Sequence, residues 1–329
     1  MVKMASVKMT VIQAITNAIA VEMERDPTVV VLGEDVGING GVFRATDGLL
    51  AKYGEKRVLD TPLAESGIIG FSVGLAAAGL KPVAEVQFDG FAYMMFHQFK
   101  YHASELFYRS RGKIPIPLVL RAPYGGGIRG LDQHSEGIEA FFTHMPGLKV
   151  VCPSNPYDAK GLLIASIRDP NPVVFLEPKR IYRAVKGDVP EEAYEVPLEK
   201  AAIAREGKDA TVITWGAMTH HALDAAELLK DKASVEVVDL RTLNPLDEKT
   251  ILDSVRKTGR AVVVQEAPRT GGFGGEIAAI IQEKALLDMK SPVLRLTGFD
   301  VPTPLARMED YHLPNPKRIV KYVERAISF

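Results

Sequence analysis

Several features that fix functional classes are scarce in this 329-residue chain. It holds one cysteine, Cys152, which excludes an internal disulfide and a cysteine-ligated metal site. Net charge is almost absent: 40 basic residues stand against 41 acidic ones. A chain so balanced has no electrostatic footprint for nucleic acid. It also lacks an apolar run long enough to span a bilayer. Residues 1–15 set lysines before an amphipathic pattern, not before a solid apolar block. They do not read as a signal peptide, and a cytoplasmic location is the simplest expectation. No internal repeat, low-complexity tract or heptad pattern interrupts the chain.

What is present reads as α/β. At 47% hydrophobic and 25% charged residues the chain has the composition of a soluble globular protein, and its length favours about two domains. Thr10 and Gln13 form a capping-box pattern ahead of Val11, Ile15, Ala18 and Ile19, so a helix is predicted from Val11 to near Asp26-Pro27. The β-branched run 28–32 reads as a buried strand, and a Gly-rich loop follows at 33–37. A second helix should run to about Tyr53 and stop at Gly54. Short strands are expected at 58–59, 83–86, 118–120, 150–151 and 173–176. Asn155-Pro156 opens a helix between the last two. Residues 179–200 hold Gly187, Pro190, Pro197 and clustered acids, and the segment 186–200 reads as a linker. Alternation then resumes, with strands at 211–214, 235–240, 261–264 and 293–296 and a last helix opened by Asn315-Pro316. The expectation is two doubly wound α/β domains, 1–185 and 201–329, with mostly parallel sheets.

Four stretches carry candidate chemistry. Gly125 to Gly130 matches G-x-G-x-x-G, but residues 131–134 do not open an amphipathic helix, so the context for a dinucleotide site is missing. A loop that lets backbone approach a ligand is the better reading. Glu65 heads an uncharged stretch, 66–80, rich in Gly67, Gly70, Gly74 and Gly79. Those glycines make sense if another backbone packs closely there. Glu65 is then either a partly desolvated catalytic carboxylate or an acid favouring a helix N-terminus. The aromatic-rich run 86–96 sits at a strand-to-helix junction, where open α/β sheets bind ligands, and serves either stacking on a flat heterocycle or the core. His134, just past the glycine loop, is either a proton-moving group or a hydrogen-bonded bystander. His144, His220 and His221 lack metal-type partners at useful spacing.

Segments 31–37, 60–67, 81–88, 146–151, 156–162 and 238–247 together resemble, in order and nearly end to end, the beta chain of 2-oxoacid dehydrogenases. The resemblance implies a pyrimidine-type thiamine-diphosphate-binding fold followed by a transketolase C-terminal-like domain. It implies that the cofactor lies between this chain and an alpha chain, in an α2β2 heterotetramer that serves a lipoyl acyltransferase core. It implies that Glu65 bonds the aminopyrimidine N1′ and promotes loss of the thiazolium proton, that Phe91 packs on that ring with Gln87 close by, and that His134 handles intermediates and the lipoyl group. The cofactor supplies the electron sink. A structural potassium ion is implied at Leu118, Ser166, Ile167, Asp169 and Asn171, largely through carbonyl oxygens. Neither Gly-Asp-Gly nor Asn-Asn occurs, so Mg²⁺ and the diphosphate are expected to be held by the alpha chain.

The stretch 134–142 and Glu177-Pro178-Lys179-Arg180 lean toward a branched-chain 2-oxoacid as substrate, although Phe91 stands where branched-chain members often carry tyrosine. Pyruvate, acetoin, a non-catalytic scaffold role and a nicotinamide-dependent oxidoreductase are the alternatives.

Overall fold

The computed structural model describes residues 6–130 and 133–329; residues 1–5 and the 131–132 step of the glycine-loop reading lie outside them. The capping box is in place. Thr10 Oγ1 accepts from the Gln13 N–H at 3.3 Å, the Thr10 N–H donates to Gln13 Oε1 at 2.9 Å, and the helix Val11–Arg25 follows. Asn155 and Asn315 cap in the same way, through the N–H groups of Asp158 and Arg318. The second helix is only Leu49–Tyr53, ended by Gly54 at φ +77°.

Among the described residues, eight strands lie in the first part of the chain: β1 Ser6–Thr10, β2 Val29–Gly33, β3 Val58–Asp60, β4 Lys81–Glu85, β5 Val119–Tyr124, β6 Lys149–Val151, β7 Val173–Pro178 and β8 Lys186–Pro190. Six follow: β9 Ala202–Arg205, β10 Ala210–Thr214, β11 Val235–Asp239, β12 Thr242–Asn244, β13 Ala261–Val264 and β14 Leu294–Leu296. The large sheet has the order β12-β6-β7-β5-β4-β2-β3, parallel except for β12 at its edge. The smaller sheet runs β14-β13-β10-β11-β9, parallel except for β9. β2, β5, β7, β10, β11 and β13 are buried along their whole length, as strands covered on both faces must be.

Two joints differ from the sequence reading. The segment read as a linker contains β8, which pairs antiparallel with β1. β12 leaves the second half to extend the large sheet beside β6. The Cys152 N–H donates to the Arg241 carbonyl at 2.7 Å, and Arg241 pairs with Asp158 at 3.0 Å. Both main apolar cores contain residues of both sheets, so the halves are packed as one body.

Candidate active site

The sequence-predicted residues cluster at the carboxyl ends of the parallel strands, where open α/β sheets form ligand crevices. β4 ends at Glu85. The chain then passes Gln87 and Phe88 into a tight 3₁₀ segment, Asp89–Met95, carrying Phe91. Gly90 permits the next step: a Cβ there would lie 2.2 Å from the Gln133 carbonyl oxygen. The loop bearing His134 therefore rests directly on this backbone. The His134 ring sits 5.1 Å from Phe91 edge-to-face and 4.3 Å from Phe88. Phe88, not singled out by the sequence reading, is thus the nearer aromatic neighbour. Gln87, Phe91 and His134 remain partly exposed, while Phe88 is buried.

Glu65 is the first residue of the helix Glu65–Ala77, which packs against the 3₁₀ segment. It is partly exposed, so it can reach a ligand. Glu34, at the end of β2, feels it: burial raises the Glu34 carboxyl, and the nearby Asp35 and Glu65 charges raise it further. Only the Gly-rich loop around Glu34 hinted at this second carboxylate. The glycines of this helix do not meet another backbone of this chain. Gly67 has only Ala64 at 3.6 Å, Gly74 has nothing within 4 Å, and the face they share exposes Phe71.

Beneath the aromatics lies a buried polar floor. Lys179 and Asp89 form an ion pair at 3.7 Å with both side chains fully buried. Burial pushes the Asp89 carboxyl up and the Lys179 ammonium down. Burial also pushes Glu139 up to about 7, against a 2.8 Å hydrogen bond donated by Tyr124. Lys179 Nζ stands 5.6 Å from the Phe88 ring centre.

The glycine loop opens no dinucleotide cradle. The Gly126 N–H donates to Glu266 and the Gly127 N–H to Glu309, each at 2.8 Å, and the next helix begins only at Glu139. Within the chain, the close approach there is made to its own carboxylates.

The five residues named for potassium converge where the helix Pro156–Arg168 ends beside β5 and β7. The Leu118 carbonyl accepts from the Val173 N–H at 2.8 Å, and the Ser166 carbonyl from the Asp169 N–H at 3.3 Å. The Ser166 hydroxyl donates back to Leu162. The Asp169 carboxylate accepts from Lys149 at 2.7 Å and from Asn171 at 2.8 and 3.0 Å. Its charge is already met, so a cation here would rely on main-chain oxygens, Ile167 included. That donor set suits a large monovalent ion. Among the described residues no cluster of three or more histidine, cysteine or acidic side chains could hold a metal. No helix there is long and apolar enough to cross a membrane.

Comparison with known proteins fixes the class. Residues 7–185 match the transketolase pyrimidine binding domain, and residues 199–319 match the transketolase C-terminal domain. A solved structure described as a split-gene transketolase, an inactive β4 tetramer, superposes with a TM-score of 0.77 at 23% identity. It covers 97% of this chain and 98% of its own, a likeness of fold. Within that class, the pyruvate dehydrogenase E1 component subunit beta of Acholeplasma laidlawii is 52% identical over 96% of this chain and 97% of its own. The protein of the same description from Bacillus subtilis is 49% identical over 98% and 99%. The chain belongs to the family of E1 beta subunits of 2-oxoacid dehydrogenases.

Proposed function

We propose that this chain is the beta subunit of a pyruvate dehydrogenase E1 component, acting with thiamine diphosphate and an alpha partner. The observation that carries the substrate is the end-to-end similarity, at about half identity, to two bacterial pyruvate dehydrogenase beta subunits. The branched-chain lean read from 134–142 and 177–180 finds no support in the names of these relatives, which favour pyruvate.

The site fits the aminopyrimidine end of the cofactor. Glu65 and Gln87 are polar and partly exposed, and Phe91 offers a half-buried ring beside them. Thiamine diphosphate, when bound, supplies an acidic ring carbon and an electron sink for decarboxylation. With the cofactor bound, Glu65 would hold a proton at N1′ of the pyrimidine and so set its tautomer. Phe91 would pack on the ring, and Gln87 would orient it. His134, whose ring rests on Phe88 and Phe91, would move a proton in acyl transfer to the lipoyl group.

The diphosphate, Mg²⁺ and the remainder of the pocket belong to the alpha chain. The outward face of Glu65–Ala77, with Gly67, Phe71 and Gly74, is suited to close helix packing against a partner. The assembly is α2β2, and it docks on an acyltransferase core. A potassium ion would be held by oxygens of Leu118, Ser166, Ile167, Asp169 and Asn171, largely main-chain, and would brace the strand–helix junction there.

The test is a reconstitution with the cognate alpha chain, thiamine diphosphate and Mg²⁺, following 2-oxoacid-dependent dye reduction. Pyruvate should exceed 3-methyl-2-oxobutanoate by about tenfold or more in kcat/KM, roughly 1.4 kcal/mol. Reversal of that order restores the branched-chain assignment. Activity with acetoin alone, or with none of the three, removes the 2-oxoacid reading for this chain.

A further inference from the structure

The reading above gives His134 a proton to move and rests its ring on Phe88 and Phe91, but leaves unexplained what holds the loop that carries it. His134 lies on an irregular loop, and Arg129 and Gln133 there take left-handed backbone angles, φ +53° and +67°. The ties come from the far end of the sequence. Glu309, 1% exposed, uses both carboxylate oxygens on the two limbs of the loop: Oε1 accepts from the Gly127 N–H at 2.8 Å and Oε2 from the Ser135 hydroxyl at 3.1 Å. Ser135 is the residue after His134. Glu266, 5% exposed, accepts from the Gly126 N–H at 2.8 Å. Lys179 and Arg180 supply the nearby positive charge that the buried carboxylates need. A third tie, Arg129 to Asp310 at 2.7 Å, is exposed on both sides.

Burying carboxylates against neutral N–H and O–H donors is costly, and an apolar plug would close such a loop with less desolvation. What carboxylates add is direction: each hydrogen bond fixes one point of the loop, and Glu309 fixes two on opposite sides of His134. We propose that Glu309, assisted by Glu266, is a positioning residue that presents His134 to the transferring acyl group, so that the C-terminal half directs the chemistry of the N-terminal half. This rests on the role assigned to His134 above.

The experiment uses the assembled enzyme with thiamine diphosphate, and compares Glu309→Ala, Glu309→Gln, His134→Ala, the double variant Glu309→Ala/His134→Ala, and Asp310→Ala. Two assays follow pyruvate-dependent dye reduction and acyl transfer to free lipoamide, and deuterium exchange follows the amides of 125–135. Glu309→Ala should lower transfer to lipoamide by about tenfold or more and dye reduction by less than about threefold. Exchange of the loop amides should rise about tenfold. Glu309→Gln, which keeps one acceptor, should recover part of the transfer. Asp310→Ala, on an exposed pair, should stay within about twofold. The double variant should be no slower than His134→Ala alone, because the clamp acts only through that histidine. Equal losses in both assays, losses that multiply in the double variant, or unchanged transfer with unchanged exchange overturn the proposal. If His134→Ala itself leaves transfer intact, the role assigned to His134 is wrong, and with it the catalytic part of the clamp; the exchange data then report separately whether Glu309 orders the loop.

Discussion

Two glycine-rich regions, 65–79 and 125–130, hold four glycines each and have opposite surroundings. A Cβ added at Gly125, Gly126 or Gly127 would come within 2.6–2.7 Å of Glu266, Leu313 or Arg180. A Cβ added at Gly74 would meet nothing within 4 Å, and one at Gly67 only Ala64 at 3.6 Å. The region 125–130 has its packing partner inside the chain, more than a hundred residues downstream for Glu266 and Leu313. The region 65–79 turns small residues and Phe71 outward, the face proposed above for the alpha chain. Small residues show that something comes close; only the fold shows whether it is the same molecule.

The sharpest way to break this contrast is Gly127→Ala. Gly127 sits at φ +108° with the Arg180 Cβ 2.6 Å from the added methyl. Strain and overpacking together should cost about 2–5 kcal/mol, read as a lower midpoint in chemical denaturation. A variant as stable as the parent would mean that the loop is not crowded.

The crowded side should also carry a pH signature. Burial lifts Glu139 from its ordinary 4.5 to about 7. Between those values the folded chain keeps a proton that the unfolded chain has lost. This group's contribution therefore falls as pH rises from about 4.5 and levels off above about 7. Glu139→Gln should flatten that slope by on the order of 2 kcal/mol, seen by comparing melting at the two ends of the window. An unchanged slope would show that Glu139 is not the proton's holder.

The open side should respond least in the chain alone and most in the complex. Gly74→Ala lies in an exposed helix interior and should stabilise the isolated chain by about 1 kcal/mol. The same methyl should weaken assembly with the alpha chain, measured by sedimentation. Assembly unaffected by Gly74→Ala would place the partner elsewhere.

Much of the fold was legible locally. The caps at Thr10, Asn155 and Asn315 and the apolar runs of β2, β10 and β13 declare themselves within a few residues. β8 did not, because Lys-Gly-Asp-Val-Pro has neither alternation nor β-propensity and is a strand only by pairing with β1. β12 escaped for a similar reason, three residues borrowed by a sheet from the other half. In the site, Phe91 and His134 were readable as types at a junction, and the structure does bring them together. Glu266 and Glu309 were not, since bonds spanning 140 and 182 residues leave no periodic trace. Asp169 was readable as an acid, but not as one already held by Lys149.

Whether this chain contributes to the chemistry as well as to the scaffold is decided by Glu65→Gln in the reconstituted enzyme. The substitution keeps the shape and removes the charge at the head of the Glu65–Ala77 helix. Assembly with the alpha chain should be normal, and kcat for pyruvate-dependent dye reduction should fall by about a hundredfold or more. Parent-like turnover in a properly assembled complex would contradict this and leave the chain a scaffold.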